Sequence, residues 1–326
     1  MFRSVQPVER YAPVMSQMSH SLEPRVLAAG LRFPEGPVAF DDRSVMVVEI
    51  AAERLTRIDA DGSVEVVAQI PGGPNGAAVG PDGSIWITNN GGCFEWLDLG
   101  ELLVPTGVPS TWTGGCIQRV DPSNGTVETM YTECDGRPLR APNDLVFDAH
   151  GGFWFTDHGV RLERSSDLTG VFYASADGSS ITEVVHPLEA PNGIGLSPAG
   201  DRLYVAETHT GRVWQWNVPA PGQAVGAGLL PPHGDLLAGL PGHQLLDSLA
   251  VDGDGHVCVG TLQNGGITVI AADGSSVEHV AIADPLVTNI AFGGPDMTTA
   301  YVTSSGTGRL LALDWPRPGL RLAHQR

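Results

Sequence analysis

A short sequence motif recurs six times along the chain, each time with a polar or acidic residue at its second position. Each copy is followed by an apolar stretch, a turn and a second apolar stretch. The copies are separated by 40, 68, 49, 55 and 42 residues and start at Pro34, Pro74, Pro142, Pro191, Leu246 and Thr288. Repeats of about 40 to 50 residues with several strands per unit are typical of β-propellers rather than helical solenoids. The repeat therefore predicts an all-β, six-bladed β-propeller.

Each unit has the sequence pattern of a β-hairpin. In the second unit, the apolar runs 77–79 and 85–88 flank the turn dipeptide Asp82-Gly83, and the third unit repeats the pattern around Gly151-Gly152. Short β-branched and aromatic runs on either side of such dipeptides indicate antiparallel strands. Apolar residues at helical spacing are confined to residues 97–103, where we expect at most a short helix.

Closure of the repeat determines the predicted domain organisation. A length of 326 residues would ordinarily suggest about two domains. Six propeller units, however, bury their faces only by closing into one ring. We therefore predict an N-terminal extension over residues 1–24 and a single propeller domain over residues 25–326. A segment such as Arg25–Ala29 is expected to pair with the last unit and close the ring.

Charge and cysteine usage exclude several classes of partner. The chain has 37 acidic and 18 basic residues, a net charge of −19, which repels nucleic acid and anionic membranes. The first 31 residues contain interspersed charges and no long apolar run, unlike a signal peptide or a membrane span. The four cysteines lack Cys-x-x-Cys spacing, which favours reduced thiols. We expect a cytoplasmic protein with no nucleic-acid or membrane partner; the oligomeric state is left open.

In a closed propeller, residues at equivalent repeat positions converge on the central axis. The six residues that occupy this position are Glu35, Asn75, Asn143, Asn192, Asp247 and Asn289. A single Pro-Asn-Gly is most often only a turn. A buried acid at such a position, however, is costly unless it is paired or bound to a metal, and no copy supplies a basic partner there. The pattern therefore predicts a central metal site.

Carboxylate and amide oxygens determine which ion such a site would prefer. Oxygen ligands select hard cations, so Ca²⁺ fits best, with Mg²⁺ or Mn²⁺ also compatible. Thiolate-bound zinc is excluded, whereas catalytic Zn²⁺ or Fe²⁺ on mixed oxygen ligands remains open.

A second set of polar residues is expected behind the axial ones, because the second strand of each hairpin returns to the same face. Its members are Glu49, Asn89, Asp157, His158, Glu207, His209, Thr261 and Thr303. Such outer groups orient metal ligands. His158 and His209 would flank the channel mouth, where they either contact a substrate or remain solvated loop residues.

An insertion of about twenty residues, 93–115, leaves the second unit at this same face. It contains several aromatic residues, among them Trp112. It is either a lid whose aromatics line an apolar pocket or a loop packed on its own blade.

At these residues the chain resembles the gluconolactonase family, also called the senescence-marker-protein or luciferin-regenerating (regucalcin-like) family. The resemblance covers the chain from about Arg25 to Trp315. Its ordered markers are Phe-Pro-Glu-Gly-Pro at 33–37, Ala-Pro-Asn-Asp at 141–144, Phe-Thr-Asp at 155–157, Pro-Asn-Gly at 191–193, Leu-Tyr-Val at 203–205, Phe-Gly-Gly-Pro-Asp at 292–296 and Tyr-Val-Thr at 301–303.

The resemblance implies one catalytic divalent cation in the central channel, with Glu35, Asn143, Asn192 and Asp247 as its ligands. It also implies hydrolysis of a small-molecule lactone, most family members acting on lactones of sugar acids. Asp247 would be the general base or, as the less favoured alternative, a nucleophile. Ser248 follows this acid where the family usually has glycine, which leaves the carboxylate in place.

The resemblance also bears on the residues around the cation. Asn75 is expected to contact the substrate or a water on the cation, and Asn289 to pack structurally. The expected substrate-binding set is completed by Asn89, His158, His209 and Trp112. Two other functions stay open: a phosphotriesterase- or fluorophosphatase-like hydrolase using the same cation, and a non-enzymatic calcium-binding propeller.

Overall fold

The computed structural model describes residues 15–17 and 22–325. Two strands precede the first complete blade: β1 (Met15–Gln17) and β2 (Arg25–Ala29). Blade 1 consists of β3 (Pro34–Ala39), β4 (Val45–Glu49), β5 (Arg54–Ile58) and β6 (Val64–Gln69), with a 3₁₀ turn at Ile50–Ala52. Blade 2 and its insertion comprise β7 (Pro74–Val79), β8 (Ile85–Asn89), β9 (Trp96–Asp98), β10 (Leu103–Pro105), β11 (Cys116–Asp121) and β12 (Thr126–Tyr131).

The remaining four blades follow in chain order. A small hairpin of β13 (Glu133–Cys134) and β14 (Arg137–Pro138) leads into blade 3, which contains β15 (Pro142–Phe147), β16 (Gly152–Asp157), β17 (Leu168–Ser175) and β18 (Ile181–Glu189). Blade 4 contains β19 (Pro191–Leu196), β20 (Arg202–Glu207), β21 (Arg212–Ala220), β22 (Gln223–Val225) and β23 (Asp235–Gly239). Blade 5 contains β24 (Leu245–Val251), β25 (Val257–Leu262), β26 (Gly266–Ile270) and β27 (Val277–Ala281). Blade 6 contains β28 (Val287–Gly293), β29 (Thr299–Ser304) and β30 (Arg309–Asp314).

Within each blade the paired strands are antiparallel; β8 pairs with β11 in blade 2, and both β22 and β23 pair with β21 in blade 4. The first strand of one blade packs beside the first strand of the next. The ring closes where β28 meets β3, so the predicted six-bladed β-propeller is confirmed. Each of the six repeat motifs starts at the first or second residue of the innermost strand of its blade, as expected. In the part of the chain that the structure describes, no helix is long and apolar enough to span a membrane.

The predicted closing strand is confirmed. Arg25–Ala29 pairs antiparallel with β30 and supplies the outer strand of blade 6, so the first and last parts of the propeller share one sheet. Part of the predicted N-terminal extension also has a place in the fold, because Met15–Gln17 pairs in parallel with β27 on the outer edge of blade 5. The remaining extension, 1–14 and 18–21, lies outside the described residues, as does residue 326.

The expectation of a short helix near residues 97–103 is wrong. This segment is the antiparallel hairpin of β9 and β10, in which Leu103 pairs with Asp98. The turn is closed by a hydrogen bond from the Leu99 N–H to the Leu102 carbonyl, 2.9 Å, and Gly100 adopts a φ of +85°. A glycine in the left-handed region suits a tight turn and not the interior of a helix.

The hydrophobic core lies mainly between neighbouring blades. Trp86 of blade 2 packs against Phe147 and Phe153 of blade 3, with ring centroids 5.7 and 5.0 Å away. Trp154 of blade 3 belongs to a buried cluster that includes Trp216 of blade 4. Burial of each large side chain stabilises the fold by about 1.5–3 kcal/mol, and here this stabilisation depends on two blades being in contact.

Each innermost strand is irregular at its motif residue. In blades 3, 4 and 5 the regular pairing with the second strand breaks after Pro142, Pro191 and Leu246 and resumes only three residues later. A β-bulge of this kind bends the strand and re-aims its side chains. The bulges therefore account for motif side chains that converge on the axis instead of alternating between the two faces of a blade.

Candidate functional site

Two acidic residues, Glu35 and Asp247, lie near the starts of the inner strands β3 and β24. Glu35 is 2% exposed, and its Oε2 accepts hydrogen bonds from the Gly36 N–H at 2.6 Å and from Asn289 Nδ2 at 2.8 Å. Burial raises the pKa of Glu35. Burial, followed by the negative charge of Glu35, raises the pKa of Asp247 well above its usual range. The two carboxylates are therefore close enough to disfavour each other's ionisation.

The oxygen atoms of this cluster are incompletely hydrogen-bonded. Glu35 Oε1 and Asn143 Oδ1 are both buried without a hydrogen-bond partner. Asn192 Oδ1 accepts only a 3.3 Å hydrogen bond from Ser248 Oγ, while its Nδ2 donates to Thr208 Oγ1 at 3.2 Å. Buried polar atoms are seldom left unpartnered unless an ion, a water or a ligand completes them. This donor set fits a hard cation.

The composition of the cluster makes the amides essential to any such site. Across residues 15–17 and 22–325 there is no group of three or more His, Cys, Asp or Glu side chains arranged to hold a metal ion. A cation at this position would have to be bound by two carboxylates together with amide oxygens. All four cysteines are free thiols, and burial raises the pKa of Cys93 to about 12.

Hydroxyl groups hold the ligand-bearing backbone between blades. Thr156, at the end of the second strand of blade 3, donates to the Asn192 carbonyl of blade 4 at 2.6 Å. Thr88 of blade 2 likewise donates to the Asn143 carbonyl of blade 3, and Ser305 of blade 6 to the Pro34 carbonyl of blade 1. Each motif residue named here therefore has its position set partly by the preceding blade.

Asp144 is an axial acid that the sequence reasoning missed. It follows Asn143 directly and is 7% exposed. Burial, and then the charge of Glu35, raises the pKa of Asp144 to about 8. The available signal was the acid itself, since the equivalent position after Asn75 and Asn192 is glycine. Without the strand register, nothing indicated that its side chain also lies on the axis.

The outer acids hold the backbone that leads into the inner strands. Asp157 accepts the Arg140 and Ala141 N–H groups at 2.6 and 2.7 Å, and Glu207 accepts the Glu189 N–H at 2.9 Å. Glu49 plays the same part in blade 1, accepting the Arg32 N–H at 2.7 Å and pairing with Arg54. These acids sit behind the axial residues, as the strand directions predicted.

Asn89 occupies the corresponding place in blade 2. Its Oδ1 accepts the Gly73 and Gly91 N–H groups, both at 2.8 Å, and its Nδ2 donates to Pro71 and Gln118, both at 2.9 Å. The side chain is 2% exposed. Its hydrogen bonds therefore hold the loops that contain Gly73 and Gly91 at this face. A contact of Asn89 with the substrate stays a prediction.

The two predicted mouth histidines lie together. The His158 and His209 ring centroids are 5.9 Å apart in an edge-to-face arrangement, and both side chains are partly buried. Burial lowers the pKa of His158 to about 4; burial, and then the positive charge of Arg161, lowers the pKa of His209. Both imidazoles are therefore neutral near pH 7.

The other two predicted contact residues differ in their exposure. Asn75 is buried at 5% exposure, at the start of β7 beside the β3 strand that carries Glu35. Trp112 is partly exposed, donates from Nε1 to the Asn90 carbonyl at 2.8 Å and lies under the Arg140 guanidinium at 4.6 Å. Trp112 therefore joins the insertion to the segment that enters blade 3.

The insertion crosses the face that carries the motif residues. Its Trp96 ring packs 5.0 Å from Phe33 of blade 1, and the Leu103 N–H donates to the Gly306 carbonyl of blade 6 at 2.8 Å. At its other end Cys93 packs in a small cluster with Val160 of blade 3. The apolar side chains of the insertion thus contact three blades other than its own.

Comparison with known proteins identifies the family of this chain. Residues 33–306 match the model of the SMP-30/gluconolactonase/LRE-like family. The chain is 26% identical over 315 residues to a gluconolactonase of Zymomonas mobilis, covering 87% of this chain and 80% of that protein. It is 31% identical over 288 residues to a pentonolactonase of Haloferax volcanii, covering 86% and 84%.

Solved structures show the same fold. A gluconolactonase of Xanthomonas campestris superposes with a TM-score of 0.71 at 20% identity, covering 96% of this chain and 99% of that one. A regucalcin of Agrobacterium tumefaciens, described as a calcium-binding protein, gives 0.70 at 18% identity, covering 95% and 100%. The chain therefore belongs to the SMP-30/gluconolactonase/LRE-like family.

Proposed function

We propose that this protein is a lactonase that opens a small lactone ring, such as that of a sugar acid, by cation-dependent hydrolysis. Two relatives that match most of the chain carry the names gluconolactonase and pentonolactonase. The observation that carries the proposal is the pair of buried, unpartnered oxygens, Glu35 Oε1 and Asn143 Oδ1, beside the second acid Asp247. Such a cluster is unfavourable in a protein that only needs a stable axis.

Four residues would hold the cation: Glu35, Asn143, Asn192 and Asp247. Ca²⁺ is the preferred ion because it accepts six to eight oxygen ligands, so about four protein ligands leave room for substrate and water. The structurally similar regucalcin is described as calcium-binding, which supports this choice. Mg²⁺, Mn²⁺, Zn²⁺ and Fe²⁺ are also compatible with the donor set. When bound, a divalent cation would polarise the lactone carbonyl and stabilise the negative charge that develops on its oxygen.

Asp247 would act as the general base. Its side chain is only partly buried, and its Oδ1 accepts the Ser248 N–H at 3.1 Å. Because a carboxylate that binds a cation is a weak base, proton transfer to Asp247 would also require the cation to lower the pKa of the attacking water. Asp247 would take a proton from the attacking water as the new C–O bond forms. It would return that proton to the ring oxygen when the ester bond breaks, giving the hydroxy acid.

Residues at the mouth would orient the substrate. Neutral His158 and His209 can each donate and accept a hydrogen bond, which suits the hydroxyl groups of an uncharged lactone. Asn75 would contact the substrate or its attacking water from the axis. Trp112 would form an apolar wall, and the insertion that carries it would limit access of bulk water. Asn89 would support this surface by holding the glycine loops.

The proposal is tested by a pH-indicator assay over a panel of sugar-acid and aliphatic lactones. The protein is stripped with EDTA and assayed before and after addition of Ca²⁺, Mn²⁺, Zn²⁺ or Fe²⁺. We expect turnover only after cation addition, and a loss of about 10²–10⁴-fold in kcat for Asp247→Asn. Full activity in the stripped protein would contradict the cation requirement. A cation-loaded protein that hydrolyses no lactone would contradict the lactonase and favour phosphorus esters or a binding role.

A further inference from the structure

Asp144 places a third carboxylate on the axis at a repeat position that is otherwise small or apolar. The equivalent residues are Gly36, Gly76, Gly193, Ser248 and Ile290. The glycines are needed because neighbouring strands approach closely: a Cβ at Gly193 would lie 2.5 Å from the Leu249 nitrogen. In blade 3 this crowded position instead holds a buried acid.

The Asp144 carboxylate accepts hydrogen bonds from two strands and lies near a backbone N–H of a third. Oδ1 accepts the Leu145 N–H of β15 at 2.9 Å, and Oδ2 accepts the Ile194 N–H of β19 at 3.3 Å. The Leu249 N–H of β24 lies near enough to this carboxylate to help offset the rise in its pKa. These N–H groups emerge at the ends of the bulges, where the regular ladder to the second strand is interrupted.

The three donors share one relation to the expected cation ligands. Leu145, Ile194 and Leu249 each lie two residues after a ligand, and those ligands are Asn143, Asn192 and Asp247. One side chain therefore bonds the strands that carry Asn143 and Asn192 and lies beside the strand that carries Asp247. The fourth strand, which carries Glu35, is joined to the ring by Asn289.

We propose that Asp144 is a positioning residue that ties the three strands together and thereby sets the spacing of Asn143, Asn192 and Asp247 around the cation. This inference rests on the proposed cation-dependent function. Asp144 acts through the backbone and does not touch the substrate. Buried N–H groups that lose their acceptor are destabilising, so removal of the carboxylate would allow the strands to shift.

The surroundings of Asp144 offer little to replace it. On the side away from the ligands it faces an axial cavity of about 80 Å³, lined mainly by apolar residues of the inner strands. Residues of the C-terminal segment also line this cavity, and Gln325 Nε2 donates across it to the Ala39 and Phe292 carbonyls at 2.9 and 2.7 Å. A water in the cavity could satisfy one or two of the three N–H groups, but it would not link three strands rigidly.

The test compares Asp144→Gly, which restores the residue of three other repeats, with the near-isosteric Asp144→Asn. Ca²⁺ affinity is measured by titration calorimetry of the EDTA-stripped proteins. Amide hydrogen exchange is followed in Pro142–Phe147, Pro191–Leu196 and Leu245–Val251. We expect the glycine variant to bind Ca²⁺ at least tenfold more weakly and to exchange faster in all three strands. The asparagine variant, which keeps one acceptor oxygen, should show a smaller change of the same kind.

A matched control is Asp148→Asn. Asp148 is as buried as Asp144, at 7% exposure, but lies at the opposite end of β15 and bonds the His150 N–H at 2.7 Å and the Tyr173 hydroxyl at 2.8 Å. Its replacement should lower stability and leave Ca²⁺ affinity unchanged.

Several results would overturn the positioning role. One is wild-type Ca²⁺ affinity in a folded Asp144→Gly protein, and another is faster exchange confined to Pro142–Phe147. If the glycine variant does not fold, the asparagine variant decides by the same two readouts. If the wild-type protein binds no cation, the proposed function fails by itself, while the exchange comparison still tests the ties between strands.

Discussion

Thr156 provides a direct test of whether hydroxyls between blades hold the ligand-bearing strands. Its side chain is fully buried; Oγ1 donates to the Asn192 carbonyl at 2.6 Å and accepts the Asp144 N–H at 3.2 Å. Thr156→Val keeps the shape and removes both bonds. Each buried group left without a partner costs about 1–3 kcal/mol, so we expect the free energy of unfolding to fall by about 2–4 kcal/mol, allowing for partial relaxation.

The assay is urea unfolding followed by tryptophan fluorescence, with Ca²⁺ affinity measured in parallel. Thr261→Val is the control, because Thr261 is an equally buried threonine near the end of the second strand of blade 5. Its Oγ1 bonds only Thr268 Oγ1 at 2.7 Å and the Val259 carbonyl at 3.2 Å, both within its own blade. The control should lose about 1–2 kcal/mol and keep its Ca²⁺ affinity, whereas Thr156→Val should weaken binding. Equal losses and equal affinities in the two variants would refute the reasoning.

Three further predictions concern pH, strand spacing and ring closure. Because burial lowers the pKa of His158 from 6.5 to about 4, the stability that its neutral imidazole contributes is complete above pH 6.5 and is lost as the pH falls toward 4. His158→Gln should remove up to ~3 kcal/mol of this pH dependence of the free energy of unfolding, measured by urea titrations. An unchanged pH profile would contradict this prediction. Gly193→Ala places a Cβ 2.5–2.7 Å from backbone atoms of β24, so it should lower the free energy of unfolding by ~3 kcal/mol and weaken Ca²⁺ binding. Gly195→Ala is the control, because its Cβ meets only side-chain atoms, at 2.8 and 3.2 Å, and should lower stability less. The reverse order of the two variants in urea unfolding and calorimetry would contradict this prediction. Deletion through residue 30 removes Arg25–Ala29 and should lower the melting temperature, and an unaltered temperature would argue against ring closure by β2.

The fold could be predicted from the sequence because its signals are local and repeated. Each inner strand begins close to its recurring motif, and each second strand ends at or next to a polar residue such as Glu49 or Asn89. The closing strand Arg25–Ala29 followed from the need to complete a ring. The hairpin within the insertion was missed, because its turn depends on Gly100 and on packing against blades that are distant in sequence.

Apart from Asp144, the axial residues of the candidate site could be predicted from the repeat, whereas the hydrogen bonds between them could not. The axial position of Glu35 and its Asn289 partner follows from repeat register alone. The place of Asp144 depends on bulges that shift the pairing after Pro142, and a repeat pattern does not encode such a shift. The hydrogen bonds of the Asn89 side chain likewise could not be predicted, because the loop carbonyl and N–H groups that make them come together only in the folded chain.

In the proposed function, the six inner strands together create one cation site on the axis. The most direct measurement is an anomalous difference map from crystals grown with Mn²⁺, which replaces Ca²⁺ at oxygen sites and scatters anomalously. We expect one strong peak within ligand distance of Glu35 Oε1 and Asn143 Oδ1, with Asn192 and Asp247 completing the protein ligands. A channel without a peak, or a peak bound by other residues, would contradict it.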